Sequence, residues 1–434
     1  MCQIAIDMSL ELSERDRALL DGQDGPIGSF AMRVVLRAAE ISGARQLTDV
    51  SFAHIDACHY FGTAQLDFVR RFADASARFP IPVWTNTLPV SLVRPENRAE
   101  AGVRFNEEAR QVAHLYSELG CRPVWTCSPY QIPGGPGFGD QIVGSESNAV
   151  AYYNSVIGAR TNKYGDFLDV CAALVGRVPL AGMHTDEGRR GSVQFDLTGL
   201  PDELRGTEMF CHVLGHLVGG RSGSRIPVIS GLPADTPGDS LKGISAAGAA
   251  SGGVAMFHAV GVTPEAPDIQ TAFQGQEPDK CVQVTPDMVR RARHSLSPAA
   301  DGPLDMVALG TPHFSVTEFG RLAALIDGRK VHPDVTFYVS TSRFVEQLAK
   351  EKGFLEPIEK AGVDILVDTC TYFSPAVRNC RGRVMTNSAK WAYYAPGMLP
   401  VEVVFGGLED CVMSATAGEV RRDTASAPGA FWSA

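Results

Sequence analysis

Two cysteines carry the clearest opportunity for chemistry in this sequence. Cys127 closes the stretch VWTCSPY and Cys370 closes ILVDTCTYF. Each follows an apolar run and precedes a turn with a proline nearby, Pro129 and Pro375. A thiolate in a loop at a strand end can reach a shared metal, whereas one inside a strand usually packs. Packing is the competing reading, because free cysteine is among the most buried residue types. There is no C-x-x-C pair, which excludes a zinc ribbon and a ferredoxin-type run. A metal centre whose ligands come from separate domains stays open. A second concentration of polar chemistry is GSESNAVAYYNSVIGARTNKYGD, residues 144–166. It places Ser145, Glu146, Asn148, Asn154, Arg160 and Asn162 among small and aromatic residues, without a proline. A surface loop would be more charged and less aromatic, and a core helix would hold fewer amides. A helix cap and a turn account for one or two of these residues, not the set.

The elements that must position these residues alternate between helix and strand. Helical patterns cover LSERDRALLDG and GSFAMRVVLRAAEISGA, the second ending near Gly43. QLTDVSFAHIDA reads as a strand, TAQLDFVRRFADASA as a helix and IPVWTNTLPV as a strand interrupted by prolines. NEEARQVAHLYSELGC is a helix ending near Gly120, and RPVWTCSPY the next strand, ending in Cys127. Late in the chain LDMVALGTPHFS, VTFYVSTS and VDILVDTCTY read as strands, separated by helical TEFGRLAALIDG and RFVEQLAKEKGFLEPIEKAG. Such alternation implies parallel sheets covered by helices, with ligands at the carboxyl ends of strands. The polar strand tails at residues 56–58, 126–127, 311–313, 368–370 and 386–387 fall where a site would be built. Between them, residues 243–253 form a run too apolar for a linker and too long for a turn. It reads as a helix of small residues that lets another backbone approach, followed by the strand GVAMFHAVGV.

Length and composition set the bounds. A chain of 434 residues is long enough for two or three domains, and 44% hydrophobic with 20% charged residues is ordinary for a globular protein. A net charge of −10 argues against a nucleic-acid partner. No apolar run of membrane-spanning length occurs. The first residues show no signal-peptide pattern, so a cytoplasmic location is expected. Ten scattered cysteines read as reduced thiols or metal ligands rather than a disulfide framework.

Together the motifs resemble a known family. The 144–166 segment, TCSPYQ, LKGISAAGAASGGVAMFHAVGVTPEAP, ALGTPHFS, VDTCTYFSP and RVMTNSAKWAYYAPGM with VEVVFGGLEDCV look like the large subunit of aconitase X, in the aconitase superfamily. The resemblance implies a three-domain aconitase-like α/β arrangement of helix-covered, mainly parallel sheets, lacking the swivelling small domain. The expected domains are 1–205, carrying Cys127 and the polar segment; 206–300, rich in glycine and alanine; and 301–434, carrying Cys370. It implies a small swivelling-domain subunit as partner and a small-molecule substrate.

It further implies an iron–sulfur hydro-lyase. Cys127 and Cys370 match family cluster ligands. A further family cysteine, in GCPH, is Thr311 here, so a third thiolate is sought in Cys58, with Cys380 second. That loss favours a two-iron over a four-iron cluster. Cys2, Cys121, Cys171, Cys211, Cys281 and Cys411 read as packing or surface thiols. The 144–166 segment would face substrate, with Arg160 clamping a carboxylate and Ser145, Glu146, Asn148, Asn154, Asn162 and Asn387 holding polar atoms. Lys390 and His313 would assist proton transfer or binding. The implied reaction is dehydration of cis-3-hydroxy-L-proline. Dehydration of mevalonate 5-phosphate is the alternative, with Arg189 and Arg190 as basic residues for a phosphate. A non-catalytic binding or regulatory protein is the alternative from another class.

Overall fold

The structure, a computed structural model, describes residues 10–94, 102–372, 377, 380–422 and 431–432. Its strands fall into four sheets. The first unit holds a three-stranded parallel sheet with Phe52–Ile55 at its centre, flanked by Val83–Thr85 and Ile142–Gly144. A short antiparallel pair, Leu47–Asp49 with Arg177–Pro179, lies in the same unit. The second sheet is parallel in the order His258–Ala259, Pro227–Ser230, Val193–Asp196, Lys280–Gln283. Val193–Asp196 precedes residue 205 yet pairs within this middle sheet. The third sheet has five parallel strands, in the order Val363–Val367, Thr336–Thr341, Met306–Leu309, Gly382–Thr386, Val401–Phe405. This is the α/β class that the strand–helix alternation implies.

Two segments depart from their sequence patterns. Residues 122–127 are not a strand. Arg122 bridges Trp84, but Trp125 takes a left-handed φ of 43° and breaks the extended run. GVAMFHAVGV forms only the two-residue strand His258–Ala259, because the preceding residues close the helix Gly238–Gly252. That helix does receive another backbone. It packs on the helix Glu208–Ser222 so closely that a Cβ on Gly252 would meet the Gly219 carbonyl oxygen at 2.0 Å. Small residues were required for this contact, and a larger side chain would push the helices apart.

A buried ionic cluster ties the middle unit to the third. Ser315 caps the helix Val316–Ile326 in a capping box with Glu318. Glu318 also takes the ammonium of Lys242, which is 2% exposed and lies 3.1 Å from Asp239 Oδ1. Lys242 Nζ further donates to the His313 carbonyl at 3.3 Å. The same apolar core runs beneath this junction, from Val193 and Phe195 to Cys127, Cys370 and Trp391.

Removing one partner of a buried pair leaves a stranded charge, at a cost of about 3–5 kcal/mol. Lys242→Met, which keeps the apolar stem, is therefore expected to lower the denaturation midpoint sharply. Circular dichroism in rising urea checks this, and an unchanged midpoint would contradict it.

Candidate active site and metal centre

Cys127 and Cys370 are 243 residues apart in sequence, and their sulfurs lie 3.9 Å apart. Both are buried. Each follows by two residues a non-glycine residue in the left-handed region: Trp125 at φ 43° and Asp368 at φ 74°. Such conformations cost about 1–3 kcal/mol each and persist only where surroundings impose them. Asp368 is held by Arg343, whose Nε and Nη2 donate to its two carboxylate oxygens at 2.7 and 2.8 Å, and by the Leu92 N–H at 3.0 Å. Trp125 is 3% exposed, and its N–H donates to Thr85 Oγ1 at 3.3 Å. The two bends turn both thiols out of their extended runs and toward each other.

His313 fastens the two cysteine loops together. The chain reaches it by turning at Gly310, where φ is +83° and a Cβ would meet the Ser340 carbonyl oxygen at 2.1 Å. Its Nε2 lies 3.0 Å from the Thr369 carbonyl oxygen and its Nδ1 2.9 Å from Thr126 Oγ1. A carbonyl only accepts, so the ring proton sits on Nε2, and Nδ1 accepts from the threonine hydroxyl. The His313 backbone N–H points at Cys127 Sγ, 3.4 Å away. Burial pushes the imidazole down to about 4, so it is neutral near pH 7. A ligand atom of His313 does lie within 4.8 Å of both sulfurs. Both ring nitrogens are already engaged, however, so the geometry favours a clamp over a metal ligand.

Beside the thiols lies a buried ion pair. Lys390 Nζ is 2.5 Å from Glu146 Oε1, with side chains 2% and 6% exposed. Glu146 follows the Ile142–Gly144 strand and caps the helix Ser147–Tyr152, its Oε2 accepting from the Ala149 N–H at 2.6 Å. Lys390 lies in the first turn of the helix Ala389–Met398, capped by Ser388, where a lone cation would oppose the helix dipole. Burial opposes the charge on both groups. Their mutual attraction wins, raising Lys390 well above and lowering Glu146 below the ordinary values. Lys390 therefore stays an ammonium and cannot accept a proton near neutral pH. Burial and the Glu146 charge would raise the Cys127 thiol, but the Cys370 contact, helped by the Lys390 charge and the His313 N–H, holds it below the usual value. Cys370 is pushed up by its contact with Cys127 and by burial.

Asn148 joins this group. Its Nδ2 donates to the Cys127 carbonyl and to Tyr130 Oη, both at 2.9 Å. Ser145 Oγ donates at 2.9 Å to Asp169 Oδ2, which also receives the backbone N–H groups of Asp56 and Ala57. Asp56 emerges here as a site residue that the sequence marked only as part of a strand tail. It is half-buried, and burial together with the Glu146 charge raises its carboxyl despite the opposing Asn86 bond.

Other expected site residues have different partners. The chain folds back after residue 158, so that Arg160 pairs with Gln141 and Lys163 with Gly144. Arg160 thus lies at the amino end of that strand, opposite Glu146, and its guanidinium binds Asp186 at 2.5 Å. Asn154 is spent internally: its Nδ2 donates to the carbonyls of Thr161 and Ala255, and its Oδ1 accepts from the Thr161 N–H and Arg189 Nη1. Asn162 similarly bridges the Ala181 carbonyl and the Met183 N–H. The Asn387 amide is directed at Glu208, 3.5 Å away. Cys58 faces the carbonyls of Ile55 and Asn86, because the chain turns into the first core just after its strand. Neither Cys58 nor the half-buried Cys380 is in the one group of close ligand atoms among the described residues, which holds Cys127, His313 and Cys370. Arg189 is locked on Glu265 and Arg190 pairs with Asp279.

The donor set fits a thiolate-held metal centre. A tetrahedral metal with thiolate bonds of about 2.3 Å, the zinc value, holds two sulfurs about 3.8 Å apart. The surrounding polar atoms also await a partner. Thr311 Oγ1, Thr369 Oγ1, Thr371 Oγ1 and Asn148 Oδ1 are buried with no hydrogen-bond partner among the described residues. Such orphans are uncommon in native interiors and point to a bound group.

Three parallel-sheet units converging on a buried, thiolate-lined site define a protein of the aconitase type. Family models of aconitase X match the chain in succession: its first domain over residues 9–187, its second over 192–294 and its third over 304–417. The chain belongs to the aconitase X family. It is 42% identical to cis-3-hydroxy-L-proline dehydratase of Pseudomonas aeruginosa, covering 96% of this chain and 71% of that protein. It is 31% identical to the phosphomevalonate dehydratase large subunit of Methanosarcina mazei, covering 95% and 98%. The crystal structure of holo-form Thermococcus kodakaraensis aconitase X superposes with a TM-score of 0.82 at 30% identity, covering 94% of this chain and all of that one.

If Cys127 and Cys370 hold the metal, Cys127→Ala and Cys370→Ala will each lose most bound iron and the visible absorbance. Cys58→Ala and Cys211→Ala will retain both. Iron analysis with absorbance spectra checks this, and full iron in Cys127→Ala would contradict it.

Proposed function

We propose that this chain is the metal-bearing large subunit of a cis-3-hydroxy-L-proline dehydratase, a hydro-lyase. The observation that carries the reading is its 42% identity, over 96% of its length, to a dehydratase of that substrate, against 31% to a phosphomevalonate enzyme. The site supports the same choice. The basic pair Arg189 and Arg190, the residues suggested for a phosphate, is committed to Glu265 and Asp279. A phosphate wants free cations or a glycine-rich helix start.

The reaction breaks the C2–H bond and the C3–O bond of the ring and releases water. The resulting enamine tautomerises to pyrroline-2-carboxylate. Removing a proton beside a carboxylate places negative charge on that carboxylate, which must be stabilised by preorganised positive groups. Lys390 is such a group: it is buried, held charged by Glu146, and acts electrostatically on Cys127. Cys127 and Cys370 would hold an iron–sulfur cluster, of the two-iron type, which supplies a Lewis acid for the departing hydroxyl. His313 keeps both thiols in place and stays neutral. Asn148 fixes the Cys127 loop through its carbonyl. Neither Lys390, which is paired with Glu146, nor His313, whose ring nitrogens are both engaged, is free to take the proton. The proton acceptor is assigned to a small swivelling subunit. The Methanosarcina mazei relative, matched over 98% of its length, is itself named a large subunit.

Two outcomes are expected. The chain purified alone will show little dehydratase activity, and co-expression with a small subunit of roughly one-domain size will restore it on cis-3-hydroxy-L-proline but not on mevalonate 5-phosphate. Turnover of the phosphate ester alone would replace this reading. Lys390→Met will keep the iron yet lose about a hundredfold or more in kcat, the scale of removing one electrostatic stabiliser. Steady-state kinetics beside iron analysis separates that from loss of the metal.

A further inference from the structure

The carboxyl ends of the first sheet line up three side chains. Ile55 pairs with Thr85, so the next residues, Asp56 and Asn86, stand side by side. His54 pairs with Gly144, so two residues on, Asp56 and Glu146 are level. Asp56 therefore sits over the end of the central strand, between Asn86 and the Glu146–Lys390 pair. This is the crevice where ligands bind in open parallel sheets.

The setting of Asp56 is unusual for a carboxylate. Its main-chain N–H is anchored on Asp169 Oδ2 at 2.8 Å, and its Oδ1 accepts from Asn86 Nδ2 at 2.5 Å. Its Oδ2 accepts no hydrogen bond among the described residues, and the side chain is half-buried while residues 57–60 are buried. Among the described residues no arginine or lysine pairs with it, since the adjacent Lys390 is bound to Glu146. A fixed, open, unpaired carboxylate oxygen beside the reacting groups is suited to a cation brought by the substrate.

We infer that Asp56 receives the ring ammonium of the amino-acid substrate and thereby selects secondary amino acids over uncharged or phosphorylated hydroxy acids. This rests on the hydroxyproline reading above. The ammonium is bonded to the carbon that loses its proton, so holding it at Asp56 orients that carbon toward the base. The positive nitrogen also favours the negative charge that develops there. A substrate without an amine would cover the half-buried Asp56 and leave it unpaired, the arrangement by which polar sites reject analogues most strongly. A phosphate would add like-charge repulsion from Asp56.

The test compares two ring ligands on the metal-loaded complex with its small subunit. L-proline carries the ammonium, and tetrahydrofuran-2-carboxylate replaces it with a ring oxygen. Calorimetric titration is expected to show the wild type preferring L-proline by about tenfold or more, the scale of one hydrogen bond to a charged group. Asp56→Asn, nearly isosteric, should narrow the preference to less than about threefold with iron content and absorbance unchanged. An unchanged preference in Asp56→Asn overturns the inference. So does equal binding of both ligands by the wild type, which needs no variant to fold. Loss of iron in Asp56→Asn would make Asp56 a metal ligand and also overturn it. Wild-type turnover of cis-3-hydroxy-L-proline, measured alongside, shows whether only this inference or the underlying reading has failed.

Discussion

Two thiols from opposite ends of the chain must meet within about a metal's reach, and most of the structure around them serves that meeting. Cys127 belongs to the first unit and Cys370 to the third, yet the sulfurs lie 3.9 Å apart. Two backbones are bent into the left-handed region to allow it. His313 joins the flanking Thr126 and Thr369 with its two ring nitrogens. Its own carbonyl is held from the middle unit by Lys242 and from the first by Gln131. A single imidazole thus fixes the spacing of two loops, and a buried ammonium fixes the imidazole. Each contact is modest, but the low dielectric of the interior makes leaving any one of them unmade expensive.

The electrostatics follow from the same burial. Glu146 and Lys390 are removed from water almost completely, which would discharge either group alone. Paired, they remain ionised and place a fixed, oriented ion pair beside the thiols. Asp56 lacks such a partner, and that asymmetry is what makes it a candidate for substrate recognition. In the proposed reading, Lys390 and Asp56 would divide the work between the carboxylate and the amine of one amino-acid substrate.

The fold class was legible in the sequence because it depends on local pattern, whereas the joint role of Cys127 and Cys370 came from the family resemblance. The apolar run before Cys370 read directly as the Val363–Val367 strand and the small-residue run at 243–253 as a close helix contact, whereas the run before Cys127 did not form the strand its pattern suggests. The rest of the site was not legible, for identifiable reasons. Arg160 sits only fourteen residues after Glu146, but a return of the chain sends the two to opposite ends of one strand. Asn154 and Asn162 have the composition of ligand-binding amides, and instead satisfy backbone groups where a π-helical turn and tight loops leave them unpaired. Cys58 follows a strand end as Cys370 does, yet its turn faces the core. Periodicity cannot tell these apart, because direction in a loop is set by tertiary packing. Asp56 differs from its neighbours only in what surrounds it, which no spacing reveals.

If thiolates hold the centre and His313 acts as a clamp rather than a ligand, iron K-edge X-ray absorption on the metal-loaded chain will show a first shell dominated by sulfur, with no imidazole multiple-scattering signature. A clear histidine nitrogen in that shell, lost in His313→Gln, would contradict it.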